Sequence, residues 1–456
     1  MNSKVKFVQI LTISKLICLI YNCIFYIINL LEINFIWKKK KQKITNLINR
    51  KYKYQLLENG FSKEDISIGR KILNSRQITM ASYTRKFEIS FAKKIGAKYA
   101  LMVNSGSSAN LIATFAAGNL MRKNALKRGD EVLVPALCWS TSIWPLVQFG
   151  LKLKFIDIDV ETLNIKIDDL KKNISKKTRA IMLINVLGIS SDLFEITKLA
   201  KKNNLMIIED NCESLGSKLR NKYLGTFGDF ASFSFYYSHQ ITSGEGGMVV
   251  CKSKEDYDIL FALRSHGWLG GTRFYKRNLG LYKSYAKKNP HLDPRYIFIN
   301  SGFNLRPTDI QGAIAHNQFK RLNLLMRKRN QNRNVIIKVL KSSKKWNNQF
   351  NFINIPHNIK PSWMGFPILL SKRFKNKKKK FMNYLDSKGI ETRPIISGNF
   401  LNHPAAKLYN LNKNNRKFQN TQEVQELGFL IGLHTKKINK NKLKLIHDSF
   451  FKIDSI

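Results

Sequence analysis

The sequence predicts an α/β fold in which helices cover both faces of a mainly parallel β-sheet. The first observation is a series of short apolar runs, rich in branched side chains, of the kind that forms strands buried on both faces. The second is that helical stretches separate these runs, as expected of strands joined by crossover helices. We therefore expect strands at 98–105, 131–136, 152–159, 179–188 and 205–210, with a helix beginning near Ser107.

A smaller α+β unit is predicted after a lysine-rich stretch near 324–345. Its expected elements are a strand at 363–371, a helix at 377–389 closed by Gly389, and a strand at 390–396. We place a large domain at 51–325 and the smaller C-terminal domain at 326–456.

The first fifty residues differ in composition from the rest of the chain. Residues 16–31 are almost wholly apolar, which is slightly short of the roughly 20 residues that span a bilayer. The basic run at 38–43 would hold the downstream end in the cytoplasm. Three interpretations of 1–50 stay open: a membrane anchor, an amphipathic docking helix, or upstream sequence translated from a start codon chosen too early. We expect a cytoplasmic protein, with membrane contact only through 7–37.

The charge of the chain does not by itself indicate a nucleic-acid partner. The net charge of +49 comes from 79 Lys and Arg against 30 Asp and Glu. The lysines are scattered along the chain beside many Asn and Ile residues, and no nucleic-acid module is recognisable. We expect no nucleic-acid partner, although a diffuse positive field would favour the approach of a nucleotide-diphosphate substrate.

The five cysteines are odd in number and widely spaced. This spacing fits neither a disulfide framework nor a zinc site, so a reducing compartment and no metal site are expected.

Two segments could bind a cofactor that carries a phosphate and a protonated ring. Residues 104–110, NSGSSAN, place small residues where a strand turns into a helix, so amides and hydroxyls can point at a phosphate. A serine-rich helix cap is the alternative. Asp210 ends a buried strand, where its carboxylate needs a partner such as a pyridinium. It could otherwise cap the next helix.

Two further side chains fit the same kind of pocket. Trp139 follows the strand at 131–136 and could stack on a pyridine ring, although a core tryptophan is the alternative. The Ser234 hydroxyl could reach a phosphate, or it could cap a backbone turn.

Five motifs occur in an order that resembles the DegT/DnrJ/EryC1/StrS family over roughly residues 55–450. They are NSGSSAN, PALCWSTS, EDNCESLG, GTFGDFASFSFYYSH and SGFNLRPTDIQGA. The resemblance implies pyridoxal 5′-phosphate as cofactor and the aspartate-aminotransferase-like fold (fold type I), with a mainly parallel seven-stranded sheet. It also implies cofactor contacts from Ser108, Ala109, Trp139, Asp210, Glu213 and Ser234. Asn304 would reach the phosphate of a neighbouring subunit, which implies a homodimer with shared active sites.

His239 stands where the family carries a lysine that binds the cofactor covalently, and no lysine lies between Lys222 and Lys252. Histidine cannot form that bond, but it can transfer protons near neutral pH. Within the family, the motifs are most similar to a branch that removes the C3 hydroxyl from nucleotide-linked 4-keto-6-deoxyhexoses, with GDP-4-keto-6-deoxy-D-mannose the favoured substrate.

That branch implies pyridoxamine 5′-phosphate as the active cofactor form and L-glutamate as amino donor. It also implies a role in deoxysugar synthesis for lipopolysaccharide O-antigen. By the same resemblance His266, in LRSHGW, and Arg393, in ETRPIISGNF, contact the substrate. Cysteines are not grouped after His239, where Cys251 stands alone, so no iron–sulfur cluster is expected.

The chain departs from the branch pattern in three places, one of which is the additional N-terminal fifty residues. Gln240 follows His239 where a second histidine is common, and Gly270 and Thr272 occupy a loop where an arginine often assists. Arg273 could replace that charge. The alternative functions are a nucleotide-sugar aminotransferase with an unusual base, a non-catalytic scaffold that has lost its lysine, and a membrane-tethered binding protein for surface-polysaccharide assembly.

Overall fold

The structure is a computed structural model that describes residues 52–58, 60–268, 279–412 and 415–456. The chain divides into Met1–Lys53 and Tyr54–Ile456. The expected anchor at 7–37 lies outside the described residues, as do Gly270, Thr272 and Arg273. Within the described ranges, no helix is both long and apolar enough to cross a membrane.

The strands of the described residues are numbered in chain order. They are β1 Tyr99–Val103, β2 Glu131–Pro135, β3 Lys152–Ile156, β4 Thr178–Ile184, β5 Met206–Asp210, β6 Lys218–Leu219, β7 Lys222–Tyr223, β8 Phe230–Ser234, β9 Gly247–Cys251, β10 Phe350–Phe352, β11 Ile359–Lys360, β12 Gly365–Leu370, β13 Thr392–Pro394 and β14 Gly428–Gly432.

The α-helices are numbered in the same way. They are α1 Lys63–Asn74, α2 Ser82–Ile95, α3 Gly106–Ala117, α4 Ser140–Phe149, α5 Ile167–Asn173, α6 Leu193–Lys202, α7 Lys254–Arg264, α8 Leu279–Lys288, α9 Asp309–Lys320, α10 Leu322–Lys341, α11 Lys378–Ser387, α12 Pro404–Leu408, α13 Gln419–Leu427 and α14 Lys440–Phe450.

A seven-stranded sheet in the order β1-β9-β8-β5-β4-β2-β3 is formed by strands between residues 99 and 251. The pairs from β8 through β5, β4 and β2 to β3 are parallel, whereas β9 pairs antiparallel with both β1 and β8. Strands β2, β5, β8 and β9 are buried along most or all of their length, as expected for a sheet covered on both faces. The predicted fold class is therefore confirmed.

A second sheet of four antiparallel strands, β10-β12-β14-β13, lies in the C-terminal part of the chain. The strand, helix and strand expected there correspond to β12, α11 and β13. Gly389 has a φ of +87° just after α11, a conformation that glycine adopts at little cost. The lysine-rich stretch is the long helix α10, and the expected domain boundary at 325/326 falls inside it.

The strands expected from the apolar runs correspond to β1 to β5, with ends shifted by a few residues. The run at 179–188 is shorter as a strand than expected. It leaves the sheet at Ile184 and continues as a 3₁₀ turn at Val186–Gly188, because Leu187 has a φ of +51° that a strand does not accommodate.

Candidate active site

The topology of the large sheet brings distant motifs together at one edge. All its strands except β9 run in the same direction, so the ends of β1, β2, β5 and β8 lie at the same edge. Ligands of open parallel sheets bind outside the carboxyl ends of the strands. This edge carries the beginning of α3, Trp139, Asp210, and the segment from Ser234 to His239.

Asp210 is the buried acidic group at the centre of this edge, with 5% of its surface exposed. Its Oδ2 accepts hydrogen bonds from Asn110 Nδ2 at 2.7 Å and Ser142 Oγ at 2.7 Å. Its Oδ1 accepts from the Cys212 main-chain N–H at 3.0 Å. Because each carboxylate oxygen accepts from at least one donor, this arrangement fixes the orientation of Asp210.

Helix α3 begins at the same edge with a cluster of hydroxyl groups. Ser105 caps the helix by accepting from the Ser108 N–H at 3.1 Å, and its Oγ donates to Ser108 Oγ at 3.0 Å. Ser107 Oγ donates to Thr141 Oγ1 at 3.1 Å, which brings the beginning of α4 beside that of α3. Hydroxyls and a helix N-terminus together form an anion-binding environment.

The end of β8 lies directly against the beginning of α3. A Cβ added to Gly106 would lie 2.5 Å from the Cβ of Ser234 and 3.0 Å from Cys212 Sγ, so only glycine permits this approach. Ser234 is buried, and its Oγ accepts from the Tyr236 N–H at 3.2 Å. The predicted phosphate-binding hydroxyls of Ser108 and Ser234 therefore belong to one region.

His239 lies in the turn that follows β8. Its main-chain N–H donates to Tyr236 O at 3.0 Å, and its imidazole Nδ1 is buried without a hydrogen-bond partner within the described residues. Burial lowers the pKa of His239 to about 4, although the negative charge of Asp210 and the backbone groups of Cys212 and Ser234 oppose this shift. The imidazole is therefore neutral at physiological pH.

Glu213 follows Asp210 by three residues in the same motif. Its Oε2 accepts from the Leu187 N–H at 3.0 Å. Burial raises the pKa of Glu213 to about 7, and the charge of Asp210 adds to that effect. This side chain can thus exchange a proton near neutral pH.

Other predicted residues lie around this centre with fewer contacts to it. Trp139 stands at the start of α4 with 56% of its surface exposed, so its ring face is accessible. Ala109 is fully buried, and its N–H donates to Ser105 O at 3.1 Å within the helix. Its contact with a phosphate stays a prediction.

The predicted substrate residues occupy two separate places. His266 is exposed and has a φ of +62°, and its N–H donates to Phe303 O at 2.6 Å, which brings it next to the segment of Asn304. Arg393 lies on β13 and pairs with Glu391 at 2.8 Å. No described contact joins Arg393 to Asp210 or His239, and its role stays a prediction.

Sequence reasoning missed several residues that hold the site. Asn110 and Ser142 bind Asp210, and both lie within motifs whose other members were singled out. Glu209 points to the opposite face of β5, where it accepts from the N–H groups of Gly225, Phe227 and Gly228 at 2.6 to 2.9 Å. Successive side chains of a strand point to opposite faces of the sheet. This alternation is the sequence signal that Glu209 and Asp210, as neighbours on β5, face different sides.

The residues at this edge fit a phosphorylated pyridine cofactor. The hydroxyl cluster at α3 suits a phosphate, and the buried Asp210 suits a protonated ring nitrogen. The unpartnered Nδ1 of His239 adds a buried polar atom that calls for a ligand group or water. Fold and site together define an enzyme of the pyridoxal-phosphate aminotransferase-like class.

Comparison with known proteins agrees with this class. The model of the DegT/DnrJ/EryC1/StrS aminotransferase family matches residues 61–450, so the chain belongs to that family. It is 36% identical over 365 residues to GDP-4-keto-6-deoxy-D-mannose 3-dehydratase of Escherichia coli O55:H7, covering 80% of this chain and 90% of that protein.

Solved structures of the same type of enzyme are also similar. The E. coli GDP-4-keto-6-deoxy-D-mannose 3-dehydratase with bound hydrated PLP superposes with a TM-score of 0.77 at 32% identity, covering 87% of this chain and 99% of that one. A GDP-4-keto-6-deoxymannose 3-dehydratase with a trapped PLP–glutamate geminal diamine gives a TM-score of 0.76 at 32% identity, with the same coverage.

Proposed function

We propose that this chain is a pyridoxal/pyridoxamine 5′-phosphate-dependent 3-dehydratase of a nucleotide-linked 4-keto-6-deoxyhexose, with GDP-4-keto-6-deoxy-D-mannose as the favoured substrate. The observation that carries the proposal is a neutral, half-buried histidine at the position of the family's lysine, in a pocket that keeps Asp210 and the hydroxyl cluster of α3. The similarity to 3-dehydratases over most of the chain supports the same reaction.

The chain's own residues hold the cofactor in a fixed orientation. Ser108 and Ser234 bind its phosphate at the beginning of α3, and Trp139 covers one face of its ring. Asp210, fixed by Asn110 and Ser142, keeps the ring nitrogen protonated. When bound as its amine, the cofactor would supply an amino group for the sugar C4 ketone and an electron sink for the reaction.

His239 moves the protons of the reaction. As neutral imidazole it removes a proton from the cofactor's C4′ carbon, and as imidazolium it returns that proton to the departing C3 hydroxyl. Glu213 would hold the ring hydroxyl of the cofactor. The product is a 3-deoxy ketosugar, and ammonia is released from the nitrogen that the cofactor supplied.

L-Glutamate reloads the amine form and leaves as 2-oxoglutarate, so one sugar and one glutamate give one deoxysugar, one ammonia and one 2-oxoacid. A histidine at position 239 favours this cycle, because no lysine retains the aldehyde form covalently. We further propose a homodimer in the cytoplasm, with Asn304 of each subunit reaching the phosphate bound by the other. The deoxysugar would serve surface-polysaccharide synthesis.

Product analysis tests the reaction. The purified protein is incubated with pyridoxal phosphate, glutamate and a panel of GDP-, CDP- and dTDP-4-keto-6-deoxyhexoses. Ammonia together with a 3-deoxy ketosugar is the expected result. An aminosugar without ammonia would instead establish the aminotransferase alternative. If no sugar is converted, the non-catalytic scaffold is the alternative that agrees with the result.

A further inference from the structure

Arg329, on α10, carries a buried charge outside the groups that contact cofactor or substrate. Only 2% of its surface is exposed. All three guanidinium nitrogens donate to main-chain carbonyls: Nη2 to His239 O at 3.0 Å, Nη1 to Gln240 O at 2.9 Å and Nε to Leu433 O at 3.1 Å. Among the described residues no carboxylate forms an ion pair or hydrogen bond with it, and burial lowers its pKa to about 10. A buried cation without a counter-ion is unfavourable in itself, so its presence calls for an explanation.

The two carbonyls that Arg329 binds belong to the turn that presents His239. The Gln240 side chain fixes the same turn from another direction, since its Nε2 donates to Ser362 O at 2.9 Å and to Glu213 O. The turn is therefore held by α10 on one side and by the segment after β5 on the other. Leu433, the third partner of Arg329, directly follows β14 of the four-stranded sheet.

We propose that Arg329 is a positioning residue that fixes the main chain of His239 against the end of β14 and so sets where the imidazole stands in the active site. The inference deepens the proposed dehydration and rests on it for its catalytic consequence. Arginine suits the task because its planar fork donates in several fixed directions at once, which a lysine ammonium does not reproduce.

The guanidinium also acts on His239 through its charge. The groups that face the imidazole are Asp210, whose charge favours protonation, the backbone groups of Cys212 and Ser234, which also favour it, and Arg329, whose charge opposes it. Removing the positive charge of Arg329 should therefore raise the pKa of His239. A residue that served stability alone would not change this pKa.

Arg333 provides a matched control one helical turn further along α10. It has 6% of its surface exposed, and burial lowers its pKa to about 10 as well. Its Nη2 donates to Ile353 O at 2.7 Å, and its guanidinium lies 4.6 Å from the ring centre of Trp363. The two arginines share helix, face and burial, but the described contacts of Arg333 do not include the His239 turn.

The experiment compares Arg329→Met, Arg329→Lys and Arg333→Met in the full-length chain saturated with cofactor. Thermal unfolding, kcat and KM for the sugar are measured across pH 3 to 9, a range that includes the His239 pKa of about 4. The pKa of His239 is read by NMR of ¹³C-labelled histidine, with a His239→Asn spectrum to assign its signal among the eight histidines.

For Arg329→Met we expect kcat to fall by roughly tenfold to a hundredfold, as for a reacting group displaced by about 1 Å, with little change in KM. The acidic limb of the kcat profile and the His239 pKa should both move to higher pH. Arg329→Lys keeps the positive charge. The acidic limb of its kcat profile should therefore stay at the pH of the parent, while kcat itself falls. Arg333→Met should have the kcat of the parent and an acidic limb at the same pH, even if its unfolding temperature is lower.

Equal losses of kcat in the two methionine variants, with an unmoved His239 titration, would reduce Arg329 to a structural role. Parent-like turnover in Arg329→Lys would overturn the positioning role even if Arg329→Met fails to fold. The titration of His239 needs no sugar. A raised His239 pKa in Arg329→Met would therefore support the position of Arg329 beside the imidazole even if the protein does not dehydrate the sugars. If Arg329→Met dehydrates the sugar as the parent does and its His239 pKa is unchanged, the positioning role of Arg329 is rejected while the proposed function stands.

Discussion

Replacing Asp210 with asparagine removes one charge and converts one oxygen into a donor. Oδ2 accepts from both Asn110 and Ser142, whereas Oδ1 accepts only from the Cys212 N–H. An asparagine at 210 keeps most of these contacts by placing its oxygen on the Asn110 and Ser142 side. Its amino group then faces the Cys212 N–H, and one hydrogen bond is lost.

The size of the effect follows from that geometry. One buried donor left unpaired lowers the free energy of unfolding by about 1–3 kcal/mol. Catalysis should suffer more, because an amide does not stabilise a pyridinium as a carboxylate does. Loss of a charge-assisted contact of about 1.5–3 kcal/mol corresponds to a kcat lower by roughly tenfold to a hundredfold, and weaker electron withdrawal adds to it.

The assay follows formation of the 3-deoxy ketosugar by chromatography, with urea denaturation of the cofactor-free protein measured in parallel. Ser142→Ala is the control, since it removes one of the donors to Asp210 but keeps the carboxylate charge. It should lose comparable stability and retain most of its turnover. Unchanged turnover in Asp210→Asn, or an equal loss in Ser142→Ala, would refute the electronic role of Asp210.

Three further outcomes are expected. His239→Lys should bind pyridoxal phosphate covalently, giving a visible absorption band that borohydride abolishes, and dehydration should fall sharply; parent-like dehydration would show that His239 is not the base. The pKa of Glu213 is raised to about 7, so its contribution to stability is lost as pH rises from 4.5 through 7. The pKa of His239 is lowered to about 4, so its contribution to stability is lost as pH falls from 6.5 through 4. The two contributions offset each other, so the contribution of Glu213 is measured in the cofactor-free His239→Asn protein. This protein is compared with His239→Asn that also carries Glu213→Gln, because both keep His316 and His434, whose pKa values are lowered as well. Relative to that control it should gain on the order of 2 kcal/mol between pH 7 and pH 5 in urea titrations, and a relative loss would contradict the raised pKa of Glu213. Deleting residues 1–45 should leave an active dimer, because the described site begins at Ser105; a truncated chain that cannot fold with cofactor present would mean that the apolar stretch packs into the enzyme itself.

The strands and the pocket motifs could be predicted from the sequence because their signals are local. Apolar, branched runs mark β1 to β5, and each motif follows directly after a strand. Since parallel strands end at one edge, residues as far apart as Asn110 and Asp210 could be expected in one pocket. The antiparallel β9 between β1 and β8 could not, because its short apolar run carries no sign of direction.

The support of His239 from α10 was harder to foresee. Arg329 lies in a lysine-rich stretch, where a basic residue is ordinarily solvated. Its burial becomes visible only through helical spacing, because the buried positions Arg329, Asn332, Arg333, Ile336 and Leu340 recur at intervals of three or four. Ile336 and Leu340 mark the buried face of α10. A polar side chain on that same face is the sequence signal for a hydrogen bond inside the protein. The partner of that contact is a main-chain turn some ninety residues away, which no local pattern specifies.

A histidine with a pKa lowered to about 4 explains how one side chain can serve both halves of the proposed reaction. At neutral pH it is almost entirely in the basic form, so no free energy is spent on deprotonating it before it removes a proton. Once it has taken that proton, burial makes the imidazolium a stronger acid than a histidine in water. It is then driven to give the proton up, and the departing C3 hydroxyl is the group that needs one. The burial that weakens His239 as a base thus strengthens it as the acid of the step that expels the hydroxyl, whereas a lysine ammonium, with a pKa near 10 in water, would donate far less readily.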